Sequence, residues 1–141
     1  MVLVDTNVLL YAVNRRLPQH RPARRWIEAA LSGDEPVGLA WMALLAFVRI
    51  VTRPALSPRP LTADAAFDLV DAWLSAPAAT VVAPTTRHAA LVRGLLSESG
   101  TAGNLVVDAH LAALAVEHRA RICTFDRDFA RFRGLRWFTP A

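Results

Sequence analysis

The chain has 141 residues, enough for one domain with a full core and too few for two ordinary ones. Hydrophobic residues make up 54% of it, yet Arg, Asp and Pro interrupt them so often that no apolar run approaches the length of a membrane span. The formal net charge is +4 and all 16 basic residues are Arg, a side chain suited to bidentate phosphate recognition. Arg15, Arg16, Arg21, Arg24 and Arg25 cluster without an acid among them, and Arg119, Arg121, Arg127, Arg131, Arg133 and Arg136 crowd the C-terminal end, a distribution that favours a polyanionic partner. Cys123 stands alone, which excludes an intramolecular disulfide, and the first residues show no secretory signal pattern; a cytoplasmic location is expected.

In chain order, Met1 to Val4 is an apolar run that stops at Asp5, and reads as a strand. A helix follows over Val8 to Val13, opened by Thr6 or Asn7 and ended before Pro18. Pro22 suits a first helical position, with Trp26, Ile27, Ala30 and Leu31 at helical spacing behind it and Gly33 closing the segment. A short strand over Val37 to Ala40 leads into the run Trp41 to Val51, whose only charge is Arg49. A helix so apolar is buried on several sides or forms an interface with a second copy or another protein. Pro54, Pro58 and Pro60 make a loop, after which Thr62 caps a helix to about Ser75. Its apolar stripe is Phe67, Val70, Trp73 and Leu74; Asp64, Asp68 and Asp71 read as a solvated face.

Ala79 to Val82 is the next strand, and a helix opened by Thr85 or Thr86 stops by Gly100. Leu105 to His118, rich in Ala and Leu, is a strong helix. Arg121 to Thr124 reads as a strand, Phe125 to Phe129 as the turn at its end, and Leu135 to Trp137 as an edge strand. Strands and helices alternate throughout, which predicts an α/β domain with a parallel sheet flanked by helices on both faces.

Asp5, Asp108, Asp126 and Asp128 are the conspicuous acids. Each has a local alternative: Asp5 or Asn7 as a helix cap, Asp108 as a complement to a helix dipole, Asp126 and Asp128 as turn formers. Together they mean more. Asp5 and the Asp126/Asp128 pair follow strand ends, and in a parallel sheet those ends share one edge. Converging carboxylates take up protons unless a cation offsets their charge, and Mg²⁺ or Mn²⁺ suits an all-oxygen site that keeps its waters. Zinc is disfavoured by the single cysteine and by the spacing of His20, His88, His110 and His118, which read as structural or surface residues. A carboxylate-held Mg²⁺ beside Arg patches points to phosphodiester chemistry.

Val4-Asp5-Thr6-Asn7, Val107-Asp108-Ala109-His110-Leu111-Ala112-Ala113-Leu114-Ala115 and Thr124-Phe125-Asp126-Arg127-Asp128-Phe129 resemble the motifs of PIN-domain ribonucleases, and more closely the VapC toxins of bacterial toxin-antitoxin pairs. Phe47 to Pro54 and Phe132 to Trp137 further resemble one branch of these toxins. The resemblance spans nearly the whole chain, residues 1–141, and implies a single PIN-like domain with a five-stranded parallel sheet between helices, Mg²⁺-dependent RNA cleavage, homodimerisation, and inhibition by a cognate VapB-type antitoxin. Carried over by motif, Asp5 and Asp108 would be the principal metal ligands and Asp126 and Asp128 would complete the acidic cluster, with Thr6, Asn7 and Thr124 as supporting polar positions. Arg24 and Arg25 are candidates for RNA contact. One departure stands out: Ala46 occupies the place of a common PIN-domain acid, and no acid occurs between Glu35 and Asp64. A single firmly held Mg²⁺ is therefore expected. Two rival readings are a PIN module that binds RNA or its partner with little turnover, and a phosphotransferase using Asp5 as nucleophile. The second is disfavoured because Asn7 stands where such enzymes commonly place another Asp.

Overall fold

A computed structural model describes residues 1–100 and 103–141. Its centre is a five-stranded sheet built from β1 (Val2–Val4), β2 (Val37–Leu39), β3 (Ala79–Val81), β4 (Arg121–Cys123) and β5 (Trp137–Phe138). The strands are parallel, in the order β3-β2-β1-β4-β5. Chain order runs outward in one direction from β1 through β2 to β3 and in the other from β4 to β5. The boundary between β1 and β4 is thus a topological switch point, where the C-terminal strand ends leave a crevice. Val4 is in register with Cys123, so the residues that follow, Asp5 and Thr124, emerge side by side.

Side-chain alternation along the strands divides the core. Val2 and Val4 face one side with Val37, Leu39 and Cys123, against α1 (Thr6–Val13), α2 (His20–Leu31), α3 (Trp41–Val51) and α4 (Ala63–Leu74). Leu3 and Ile122 face the other, against α5 (His88–Ser99) and α6 (Val106–Glu117). The result is three layers, helices on both faces of a parallel sheet, as the alternation of elements predicts. Gly38 is part of the fit: a Cβ there would stand 2.3 Å from a Leu3 methyl carbon. Among the described residues no helix is long and apolar enough to cross a membrane.

The element ends differ in instructive ways. The N-cap of α1 is Asp5, not Thr6 or Asn7. Helix α2 begins at His20, so Pro22 is its third residue; the first turn tolerates proline because its N–H groups lack helical partners anyway. Helix α5 begins at His88 rather than at Thr85 or Thr86, and Gly100, at φ +73°, closes it in the left-handed conformation. Thr62 caps α4 as expected, its hydroxyl accepting from Ala65 N at 3.1 Å, but Phe67 is exposed and Ala66 takes its place in the buried stripe. Asp64, Asp68 and Asp71 are solvated. The stretch after β4 forms a short 3₁₀ turn, Arg127–Arg131.

Candidate active site

The site begins with a strand end that becomes a helix cap. Asp5 N donates to Cys123 O at 3.1 Å, continuing the sheet by one bond, and the chain then turns into α1. Asp5 Oδ1 accepts from Thr6 N at 2.7 Å, while Oδ2 accepts from Thr124 Oγ1 at 2.7 Å and Asn7 Nδ2 at 2.9 Å. A carboxylate offers four lone pairs, so three donors leave one on Oδ1 open. The capping alternative and the site reading are therefore compatible, because one carboxylate serves both.

Thr124 is the one buried polar residue among those described, and it is saturated. Its hydroxyl donates to Asp5 and accepts from Asn7 Nδ2 at 3.2 Å and Asp126 N at 2.9 Å. Asn7 Oδ1 accepts from Phe125 N at 3.0 Å, so Asn7 bridges the two strand ends with both halves of its amide. Thr6 Oγ1 donates to Ala43 O at 3.3 Å, tying the same corner to the first turn of α3. The three polar positions all act on the Asp5 corner. Tyr11 packs edge-on against Phe125 at 5.1 Å between ring centroids, a contact with no local sequence signal.

Burial raises the Asp5 carboxyl above its ordinary value; hydrogen bonds from Thr124, Thr6 and Asn7 work against this, and the charge of Asp126 reinforces it. Asp108, in the first turn of α6, is pushed up to about 6, by burial first and then by the charges of Asp5, Asp126 and Asp128. The structure thus brings all four acids into one electrostatic field. Asp108 differs from the others in having no hydrogen-bond donor and no cationic partner among the described residues. Asp126 caps the 3₁₀ turn by accepting from Asp128 N at 2.8 Å, and Asp128 lies 3.7 Å from Arg131 Nε at the exposed rim. No three His, Cys, Asp or Glu side chains among the described residues are gathered so as to enclose an ion. The donor set is nonetheless all oxygen and carries excess negative charge. It fits a hard divalent ion held by one or two carboxylates, with water completing the shell.

Arg24 and Arg25 are not among the charges acting on this cluster. Arg24 pairs with Glu28 at 2.7 Å on the exposed face of α2 and lines a separate cleft of about 810 Å³. That cleft lies between α1, α2 and the end of α3, with Leu10, Ile27, Ile50 and Trp73 inside and Arg15, Arg16 and Arg59 around it. On another side, Met42, Val106, Val107 and His110 border a groove of about 1110 Å³ between α5 and α6. Two histidines make plain structural contacts: His20 Nδ1 donates to Tyr11 O and His118 Nε2 to Ala83 O, both at 2.9 Å. The other two, His88 and His110, join Glu117 in a network that no linear pattern announces.

The profile of the PIN domain matches residues 2–135. The chain is 56% identical over 140 residues to Ribonuclease VapC37 of Mycobacterium tuberculosis, covering 99% of this chain and 97% of that one. It is 40% identical to Ribonuclease VapC33 of the same species, covering 99% and 98%. Among solved structures, VapBC2 from Rickettsia felis bound to a DNA fragment of its promoter has the same fold, with a TM-score of 0.71 at 16% identity and 100% coverage of both chains. Mycobacterium tuberculosis VapC20, a toxin that cleaves the sarcin-ricin loop, aligns with a TM-score of 0.70 at 20% identity over 96% of this chain and 99% of that one. With its switch-point Asp5, its field of four carboxylates and these relatives, the chain belongs to the PIN-domain family, among the VapC ribonucleases.

Proposed function

We propose that this protein is a metal-dependent endoribonuclease toxin that hydrolyses RNA phosphodiester bonds and is restrained by a cognate VapB-type antitoxin. Asp5 and Asp108 are the principal ligands of a divalent ion, Mg²⁺ with Mn²⁺ as the alternative, and Asp126 and Asp128 complete the acidic wall. The observation that carries this reading is Asp108: a half-buried carboxylate without donor or counter-cation, facing three further carboxylates and raised to about 6. A bound divalent ion would offset that charge and supply an activated water and a Lewis acid for a phosphate oxygen. The protein's own contribution is placement. Thr6, Asn7 and Thr124 fix the Asp5 rotamer with three donors and leave one lone pair free. Asp126, anchored through Thr124, holds the second strand end beside it.

The relatives named as VapC ribonucleases support an RNA substrate, and the likeness to a VapBC complex supports an antitoxin partner. Two surfaces suit protein partners. Trp41, Met42 and Leu45 of α3 with Val106 and Val107 of α6 are each more than 40% exposed, an apolar face suited to a second copy. The 810 Å³ cleft, apolar within and Arg-rimmed, suits an amphipathic antitoxin segment bearing acids.

The test is cleavage of RNA by purified protein under Mg²⁺ or Mn²⁺ titration, with Asp5→Asn and Asp108→Asn as controls. Metal-dependent cleavage lost in both folded variants is the expected result. Full activity in both would overturn the assignment. A rival reading, a PIN module that binds RNA or its partner without turnover, draws on Ala46 and the absence of any acid in α3. Metal and RNA binding without cleavage would favour it.

A further inference from the structure

A polar construction apart from the carboxylates joins α5 to α6. His88, the first residue of α5, has Nδ1 2.7 Å from Glu117 Oε2 and Nε2 2.8 Å from His110 Nδ1. Glu117 is part-buried, and its other oxygen accepts from Thr85 N at 2.9 Å and from the Thr85 hydroxyl. An ionised Glu117 is an acceptor only, so His88 Nδ1 carries the proton. The contact between His88 Nε2 and His110 Nδ1 needs a hydrogen on one nitrogen and a lone pair on the other, which couples the two rings. The rings meet edge to face at 4.7 Å, and His118 adds the bond to Ala83 O. These anchors clamp the segment from Ala83 to His88 onto α6 at His110, Glu117 and His118, a span of about 12 Å along the helix.

Helix α6 needs such an anchor. Of its six buried residues four are alanines, Ala109, Ala112, Ala113 and Ala115. Side chains this small let a helix lie close on a sheet but interdigitate little, so they resist sliding and rotation weakly. Leu105, at the N-cap, offers no side-chain cap. Asp108, two residues before His110 in the first turn of α6, has no hydrogen-bond donor among the described residues to fix its carboxylate. Its carboxylate stands wherever α6 is held.

We propose that the Glu117–His88–His110 chain is a positioning device that sets the axial register of α6 and thereby holds Asp108 opposite Asp5 for the divalent ion. The inference rests on the metal-dependent reading of the carboxylate cluster. The three side chains bond to one another and to Thr85 and not to any of the four carboxylates; their effect is on ion affinity through the placement of Asp108.

Its test is Mn²⁺ binding, followed by electron paramagnetic resonance of the free ion in wild type, His88→Phe and Thr85→Val, well below the lowest melting temperature of the set. Thr62→Ala removes the α4 cap, remote from α6, and serves as the control for general destabilisation. His88→Phe keeps the ring and loses both hydrogen bonds. It should weaken Mn²⁺ binding by up to about tenfold, the low end of the cost of losing a direct partner of a ligand, since His88 acts on Asp108 through the helix. Its RNA cleavage should fall at limiting Mn²⁺ and return at saturating Mn²⁺, a split between affinity and turnover that a merely structural role would not produce. Thr85→Val should shift affinity the same way by less, and it decides the matter alone if His88→Phe does not fold. Unchanged Mn²⁺ affinity in both variants, or an equal loss in Thr62→Ala, overturns the positioning role while leaving the metal site intact. No Mn²⁺ binding by wild type overturns the metal reading and this one with it.

Discussion

Asp108→Asn should separate stability from activity. In the folded, metal-free protein the Asp108 carboxyl is raised from 3.8 to about 6. Ionising it there costs at most about 3 kcal/mol more than in the unfolded chain. Water reaches part of the side chain, so about 1 to 2 kcal/mol is the appropriate figure. Asn removes that cost but also gives up the attraction between a carboxylate and the helix N-terminus, about 0.3 to 1 kcal/mol. The cost of ionising a part-buried carboxyl beside three others outweighs that attraction, and the variant should be more stable than wild type by about 1 kcal/mol in EDTA at pH 7.5. The sign of the pH dependence follows from the raised value. The carboxyl adds no penalty while it is protonated in both states, below the ordinary Asp range. Stability is then lost as pH climbs from that range through about 6. Urea denaturation in EDTA across this range should therefore show the two proteins converging at acid pH and separating above it. Saturating Mg²⁺ should restore wild type and do little for the variant, which should not cleave RNA. A variant less stable than wild type in EDTA at pH 7.5, or a gap that does not change with pH, would refute the reasoning.

Thr124→Val keeps the volume of a fully buried side chain but removes the donor to Asp5 and the acceptor for Asp126 N and Asn7. It should lower stability by about 2 to 4 kcal/mol, measured by denaturant unfolding, and weaken metal binding; a loss under about 0.5 kcal/mol would show that the hub is dispensable. Because α3 brings no acid to the site, Mn²⁺ titration should give one tightly held ion per chain, and two well-occupied ions without substrate would contradict this. If Arg24 and Arg25 contact RNA phosphates, reversing their charge should weaken binding more at low salt than at high salt, as filter binding across a salt series would report. An unchanged salt dependence removes them from the RNA surface.

Much of the molecule was legible from local pattern. A strand buried on both faces, such as β1 or β2, reads as a short apolar run, and most helices declare themselves through a 3.6-residue stripe; the edge strand expected over Leu135 to Trp137 forms instead at Trp137–Phe138. The acids at strand ends were equally visible, because a charge that closes an apolar run needs a reason. The boundaries were less so. Thr85 and Thr86 advertise a cap, yet Thr85 binds Glu117 across 32 residues, and α5 starts at His88 instead. Phe67 fits the periodic stripe but lies outside it, since helical spacing marks a face without saying which edge of that face the sheet will cover.

What only the tertiary structure decided is convergence. Asp5 and Thr124 are 119 residues apart and meet because β4 pairs with β1 on the edge that β2 leaves free. His88 finds Glu117 and His110 because α5 and α6 fold back on each other. Residue order sets the period, the charge and the caps, which depend on neighbours along the chain. Strand order and helix register depend on contacts between distant segments, and those contacts decide which carboxylates share a site and how firmly each is held.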